Sequence, residues 1–180
     1  MKYLFTVDDE GIKVPDGTMV HPIIGPRQMF EDKIGMIDSC SLAMGKLPAN
    51  IRSDIHIHPI CDHLTWVVSG KLTVMMKDHE SDEPYSLEVG ENQLVLTRAG
   101  VFFQLINNSD QPVITLYGCS PAFVLELDNE GNIVYNDQIV PHKSWKELAE
   151  LNWILPEMQD IEQIRKDRLA AIKRMSENQK

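Results

Sequence analysis

The stretch IRSDIHIHPICDHLTWVVSGKLTVMMK, residues 51–77, decides the fold. Its first part, IRSDIHIH, alternates in the two-residue period of a β-strand. His56 and His58 are two apart, so on a strand they point to the same face. Pro59 predicts a turn, after which His63 can return to that face from the next segment. LTWVVSG and KLTVMMK are rich in β-formers and meet at Gly70, which predicts a hairpin. Half of the chain's six histidines fall within these eight residues, 56–63. Three converging imidazoles make a good site for a borderline transition metal.

The β pattern continues on both sides. YSLEV, QLVLTRAG, VFFQLIN and VITLYG follow as short strands, and NNSDQP at 107–112 is a strong turn signal. FVLELD and NIVYND flank Asn129-Glu130-Gly131, a second hairpin candidate. Many short strands with Gly and Asn turns predict a sandwich or barrel. Residues 1–50 are punctuated by Gly and Pro, with candidate strands at Lys2–Val7 and around Ser39–Lys46. After Pro141 the pattern changes. Ser144 and Glu147 form a capping box that opens a helix through SWKELAELNWI, ended by Pro156. A second helix is expected from Gln159, with Ile161, Ile164, Ile172 and Met175 near one face. The organisation is therefore an irregular N-terminal segment, 1–38, joining the barrel; a barrel, 39–140; and a helical extension, 141–180.

Composition narrows the function classes. A chain of 180 residues can bury a real core in one domain. The net charge of −10, with no basic stripe, argues against nucleic acid as partner. No apolar run is long enough to span a membrane, and MKYLFTVDDEG turns acidic too soon for a signal peptide. Cys40, Cys61 and Cys119 are odd in number and lack a CxxC, which reads as reduced thiols in a cytoplasmic protein. There is no GxGxxG and no Walker motif.

The spacing of residues 50–107 resembles the two short motifs of the cupin superfamily, and the resemblance covers roughly residues 39–125. In the first motif Asn50 takes the opening Gly position, His56 and His58 the paired His positions, His63 the Glu position, and Gly70 closes it. In the second, Asn92 replaces a Gly and Arg98-Ala99-Gly100 replaces Pro-x-Gly. Phe103 stands in the His position and Asn107 matches the final Asn. The resemblance implies an all-β fold, a cupin double-stranded β-helix or jelly-roll barrel, carrying the C-terminal helices. Family sites usually hold a metal with three His and one Glu. This chain loses one His at 103 and gains one at 63, so His56, His58 and His63 are the expected metal ligands. A barrel whose histidines hydrogen-bond, or act as acid and base without metal, is the competing reading.

Strand parity adds pocket candidates. Arg52 and Asp54 share a face with His56 if the strand is regular, and Arg52 could hold a carboxylate; a strand-end role at the barrel mouth is the plainer alternative. Thr65 shares a face with His63. Tyr117 can donate a hydrogen bond or simply pack. Phe103 is expected to form an apolar wall opposite the histidines. Trp66 has the opposite parity, which suits an interface or outer face. Arg98 reads as solvated, and His21, His79 and His142 as exposed or structural. Cys61, on the turn between the ligands, reads as a small buried residue or, less simply, a ligand or reactive thiol.

The expected function is a metal-dependent enzyme acting on a small polar or carboxylate-bearing molecule. Cupin sites of this three-His kind often activate O₂, which implies a mononuclear non-haem Fe(II) oxygenase or dioxygenase. Zn or Mn in the same ligands would instead serve an isomerase, lyase, cyclase or bond-forming enzyme. A non-catalytic small-molecule-binding module is the alternative outside catalysis. The resemblance also implies a homodimer.

Overall fold

The turn at Gly70 carries the chain from one sheet to another. The computed structural model describes Leu4, Val7 and residues 9–26, 35–78, 83–150 and 161–177. In chain order the strands are β1 (Ile12–Lys13), β2 (Met19–Gly25), β3 (Gly35–Met36), β4 (Ser41–Leu47), β5 (His56–Ile57), β6 (Asp62–Ser69) and β7 (Leu72–Lys77). They continue with β8 (Tyr85–Val89), β9 (Leu94–Thr97), β10 (Phe102–Ile106), β11 (Val113–Ser120), β12 (Leu125–Leu127) and β13 (Ile133–Asn136). Among the described residues two helices follow, α1 (Trp145–Glu150) and α2 (Ile161–Glu177).

The large sheet has the order β1-β2-β4-β11-β6-β9, with β3 beside β2; the small sheet has the order β5-β10-β7-β8. All pairings but β2–β3 are antiparallel. The expected hairpin at Gly70 is not formed: β6 pairs with β11 and β9, whereas β7 pairs with β10 and β8. The β-rich runs on either side were read correctly as strands, but each finds its partners in a different sheet. This alternation between facing sheets makes the jelly roll. The hairpin expected at 129–131 does form, joining β12 to β13.

Val67, Leu72, Val74, Met76, Val95, Phe103, Leu105 and Val113 are buried together in the main core. The outer side of the small sheet is covered by α1. Leu148 packs with Ile55, Ile57 and Phe102. Trp145 donates its indole N–H to Gln104 at 2.9 Å, and Gln104 donates to the Ser53 carbonyl at 2.7 Å. Ser144 and Glu147 form the expected capping box: the Ser144 N–H donates to Glu147 Oε2 at 2.7 Å, and the Glu147 N–H to Ser144 Oγ at 3.3 Å. The continuation of that helix past Glu150 lies outside the described residues, as do most of the Lys2–Val7 strand candidate and His79. Among the described residues, no helix is long and apolar enough to cross a membrane.

The backbone bears out the motif register. Gly70 and Gly100 have φ of 94° and 89°. Asn50 and Asn92, where the family motif has glycine, have φ of 57° and 62°. Asparagine is the usual non-glycine residue in this left-handed region. Asn107 is buried and ties a turn together. Its Nδ2 donates to the carbonyls of Leu47, Pro48 and Gln111 at 3.1, 2.9 and 2.8 Å, while its Oδ1 accepts from Ser109.

Candidate metal centre

β5 and β6 bring His56, His58 and His63 to one cavity of about 100 Å³. All three are buried. The ring centroids of His56 and His58 are 5.5 Å apart, and those of His58 and His63 4.9 Å. Imidazoles sharing one ion through ring nitrogens have centroids roughly 5 Å apart, so His58 already sits near that spacing from both neighbours.

The three rings are held differently. His56 Nδ1 lies 2.9 Å from the Asp54 carbonyl and 3.4 Å from Asp16 Oδ2, two acceptors that favour a proton on Nδ1 and leave Nε2 free. His63 Nδ1 lies 3.4 Å from Thr65 Oγ1. Neither ring nitrogen of His58 has a hydrogen-bond partner, although both are buried. Burial holds His58 well below the ordinary imidazole range, and His63 and His56 add to the effect. Burial, then His56, pushes His63 down to about 3. Burial lowers His56 too, against the opposing charge of Asp16. Near neutral pH the three rings are therefore uncharged, the state a metal ligand requires. An orphaned buried imidazole between two others fits a metal ion.

Other expected site residues fall in varied places. Tyr117 lines the cavity with its ring 5.5 Å from His63, and burial pushes its phenol up to about 12, so it is a neutral donor. It lies over Gly45, where a Cβ would collide with the Tyr117 ring and sit 2.5 Å from Thr115 Oγ1. Thr65 is buried behind His63 and does not line the cavity. Phe103 is likewise absent from the lining. It is the cross-strand partner of His56, with ring centroids 4.0, 5.5 and 5.0 Å from His56, His58 and His63. The expected opposite wall is instead an apolar floor packed against all three imidazoles, because β10 lies directly beside β5.

Arg52 is exposed and outside the cavity, so it is not the carboxylate clamp that parity suggested. The segment before His56 is not a regular strand: Arg52 forms only an isolated bridge to Ile106, and β5 begins at His56. Asp54 is exposed for the same reason. Arg98 is exposed and pairs with Asp62 at 2.7 Å.

Sequence reasoning missed the N-terminal contribution. Val14, Asp16, Thr18, Val20, Pro22 and Ile24 line the cavity. Asp16 is buried, accepts from the Thr18 N–H at 2.9 Å, and faces His56. Its only sequence signal is the turn Pro15-Asp16-Gly17. Phe123 closes another side, with its ring 5.4 Å from His58. Cys119 also lines the cavity, and one ligand atom from each of His58, Cys61 and Cys119 lies within 4.8 Å of the others.

No protein-family model matches the chain, and no curated protein matches it. Solved structures do. CapF with the inhibitor 3-isopropenyl-tropolone is 16% identical, with 77% of this chain and 34% of that chain covered and a TM-score of 0.50. An uncharacterized conserved protein with a double-stranded β-helix domain from Klebsiella pneumoniae is 12% identical, covering 67% of this chain and 91% of that one, with a TM-score of 0.49. DMSP lyase DddQ from Ruegeria pomeroyi is 18% identical, covering 69% and 52%, with a TM-score of 0.48. At such identities the likeness is one of fold alone.

Proposed function

We propose that this chain, which has the cupin fold, is a mononuclear metal enzyme in which His56, His58 and His63 hold the ion, and that it is an Fe(II)-dependent oxygenase. The observation that carries the reading is His58, buried between two neutral imidazoles with both ring nitrogens unpartnered. Iron would supply redox chemistry with O₂ at positions the three imidazoles leave open.

The chain's own residues define the rest. Asp16 and the Asp54 carbonyl orient His56, and the Asp16 carboxylate offsets part of the ion's charge. Tyr117 offers its O–H to a substrate oxygen. Val14, Val20, Pro22, Ile24 and Phe123 exclude water and favour an apolar substrate body. Among the described residues none that lines the cavity is Lys or Arg, so a substrate carboxylate or enolate would find its counter-charge at the ion. The proposed substrate is a small, mainly apolar molecule bearing one such group.

Metal analysis of the wild type and of His63→Ala, with O₂ uptake measured on Fe(II) addition, tests this reading. Stoichiometric iron, lost in the variant, is expected. Unchanged iron content in His63→Ala, or ligand binding with no turnover, refutes it. A second copy of this chain is the proposed partner.

A further inference from the structure

We infer that Cys61 and Cys119 join His58 in a second metal site, a Cys₂His set that takes zinc. It goes beyond the proposed oxygenase and does not depend on it. Cys61 sits at the entry to β6, two residues before His63, and Cys119 is the cross-strand partner of His63 on β11. These positions, far apart in the chain, turn both side chains inward beside His58. All three residues are buried, and their ligand atoms lie within 4.8 Å of one another. The His58 ring has no hydrogen bond to either side, so nothing in its surroundings commits it to His56 and His63 rather than to the thiols.

Zinc bound at about 2.3 Å to sulfur and about 2.0 Å to nitrogen brings tetrahedral donors to roughly 3.3–3.8 Å. The cluster therefore needs only a small closure of side chains. Charge favours it as well. Two thiolates cancel the dication, whereas three neutral imidazoles leave its charge in a mostly apolar cavity where, among the described residues, Asp16 is the one carboxylate. Softness separates the two sets: thiolates select zinc, while imidazoles also accept iron. His58 belongs to both, so one ion is held at a time and its identity picks the set. Cys119 and His58 line the cavity, so an ion that they held would be reached from it. Binding forms two Zn–S bonds and one Zn–N bond, breaks two S–H bonds, and releases the zinc-bound waters that the three ligands replace. The two protons pass to solvent, and no electrons are transferred.

The test loads full-length protein with one equivalent of Zn²⁺. It reads the zinc X-ray absorption edge and the protons released into weak buffer. Two sulfur neighbours at about 2.3 Å and about two protons per ion are expected. Cys61→Ser and Cys119→Ser should each remove one sulfur and one proton. The double variant His56→Ala/His63→Ala, if its circular dichroism matches wild type, should keep both sulfurs. A wild-type shell of nitrogen and oxygen only, without proton release, overturns the inference, as does loss of sulfur in the folded double variant. Iron retained by that double variant would instead refute the three-imidazole site and leave the zinc result standing.

Discussion

Replacing Arg168 by Met tests how the C-terminal helix supports the cavity. Arg168 lies on α2, and its Nε donates to both oxygens of Asp137, at 3.1 and 2.9 Å. Its Nη2 donates to the Ala122 carbonyl. Asp137 is fully buried and also accepts from Tyr135 Oη at 2.7 Å and the Val124 N–H at 2.8 Å. This network fixes the segment that presents Phe123 and Leu125 to the cavity. Removing the guanidinium leaves a buried carboxylate without its cation, which costs about 3–5 kcal/mol. At roughly 2–4 °C per kcal/mol for a chain of this size, Tm should fall by about 6–20 °C.

The pH signature makes the cause identifiable. Burial already raises the Asp137 carboxyl above its ordinary value, against the pull of Arg168. A folded-state pKa above the unfolded 3.8 means the folded state binds more protons in that window, so stability falls as pH rises through it. Without Arg168 the pKa moves higher and the window widens. Urea unfolding should therefore show a larger loss for Arg168→Met at pH 7.5 than at pH 4.5. Adding Asp137→Asn should restore much of the loss, since the amide oxygen can still accept from Val124. A loss below about 1 kcal/mol, a pH-independent loss, or no recovery in the double variant would refute the reasoning.

Asn92→Val should cost about 1–2 kcal/mol in urea unfolding because residue 92 has a φ of 62°, while Asn92→Gly should be nearly neutral; equal losses would refute the backbone argument. Metal-free protein should lose stability as pH falls from 6.5 towards 3, because the unfolded chain takes up the His63 proton in that window and the folded chain does not. His63 alone accounts for about 2 kcal/mol by pH 5, with His56 and His58 acting in the same direction, and a urea midpoint unchanged between pH 7 and pH 5 would count against neutral buried imidazoles. Trp66 and Leu94 pair across β6 and β9 on the outer face of the large sheet, exposed at 39% and 49%. If two copies meet there, sedimentation should give a dimer that Trp66→Glu dissociates, and an unaltered dimer would exclude this face.

The legible part of this chain is the part set by local backbone demands. Asn50, Gly70, Asn92 and Gly100 all adopt the left-handed conformation their motif positions require, and the three histidines that the spacing grouped line one cavity. Parity failed at Arg52 because it presumes a regular strand, whereas Arg52 meets the sheet only in an isolated bridge and β5 begins at His56. Around His56 the chain is buried on both sides, by the cavity and by Leu148 with Trp145, and Ile55 to His58 are all buried. A two-residue period cannot be read where both faces are apolar. The Gly70 hairpin failed for a related reason: a turn that pairs two strands and one that passes between sheets use the same residues, and the choice rests on non-local partners.

The same limit applies to the chemistry. His56, His58 and His63 are legible as a cluster because eight residues contain them, yet the groups that decide how they work come from elsewhere. Asp16 arrives on the loop before β2, a Gly- and Pro-rich segment with weak strand signal, and Cys119 arrives on β11 opposite His63. Neither has a spacing relative to the histidines that a motif could capture. They nonetheless set opposite biases. Asp16 sits against His56, beside the imidazole set, whereas Cys61 and Cys119 have ligand atoms within 4.8 Å of one of His58. The ring without a hydrogen bond, His58, belongs to both proposed sets, so on those proposals the identity of the metal would depend on whether carboxylate-oriented imidazole or buried thiol offers His58 the better partner.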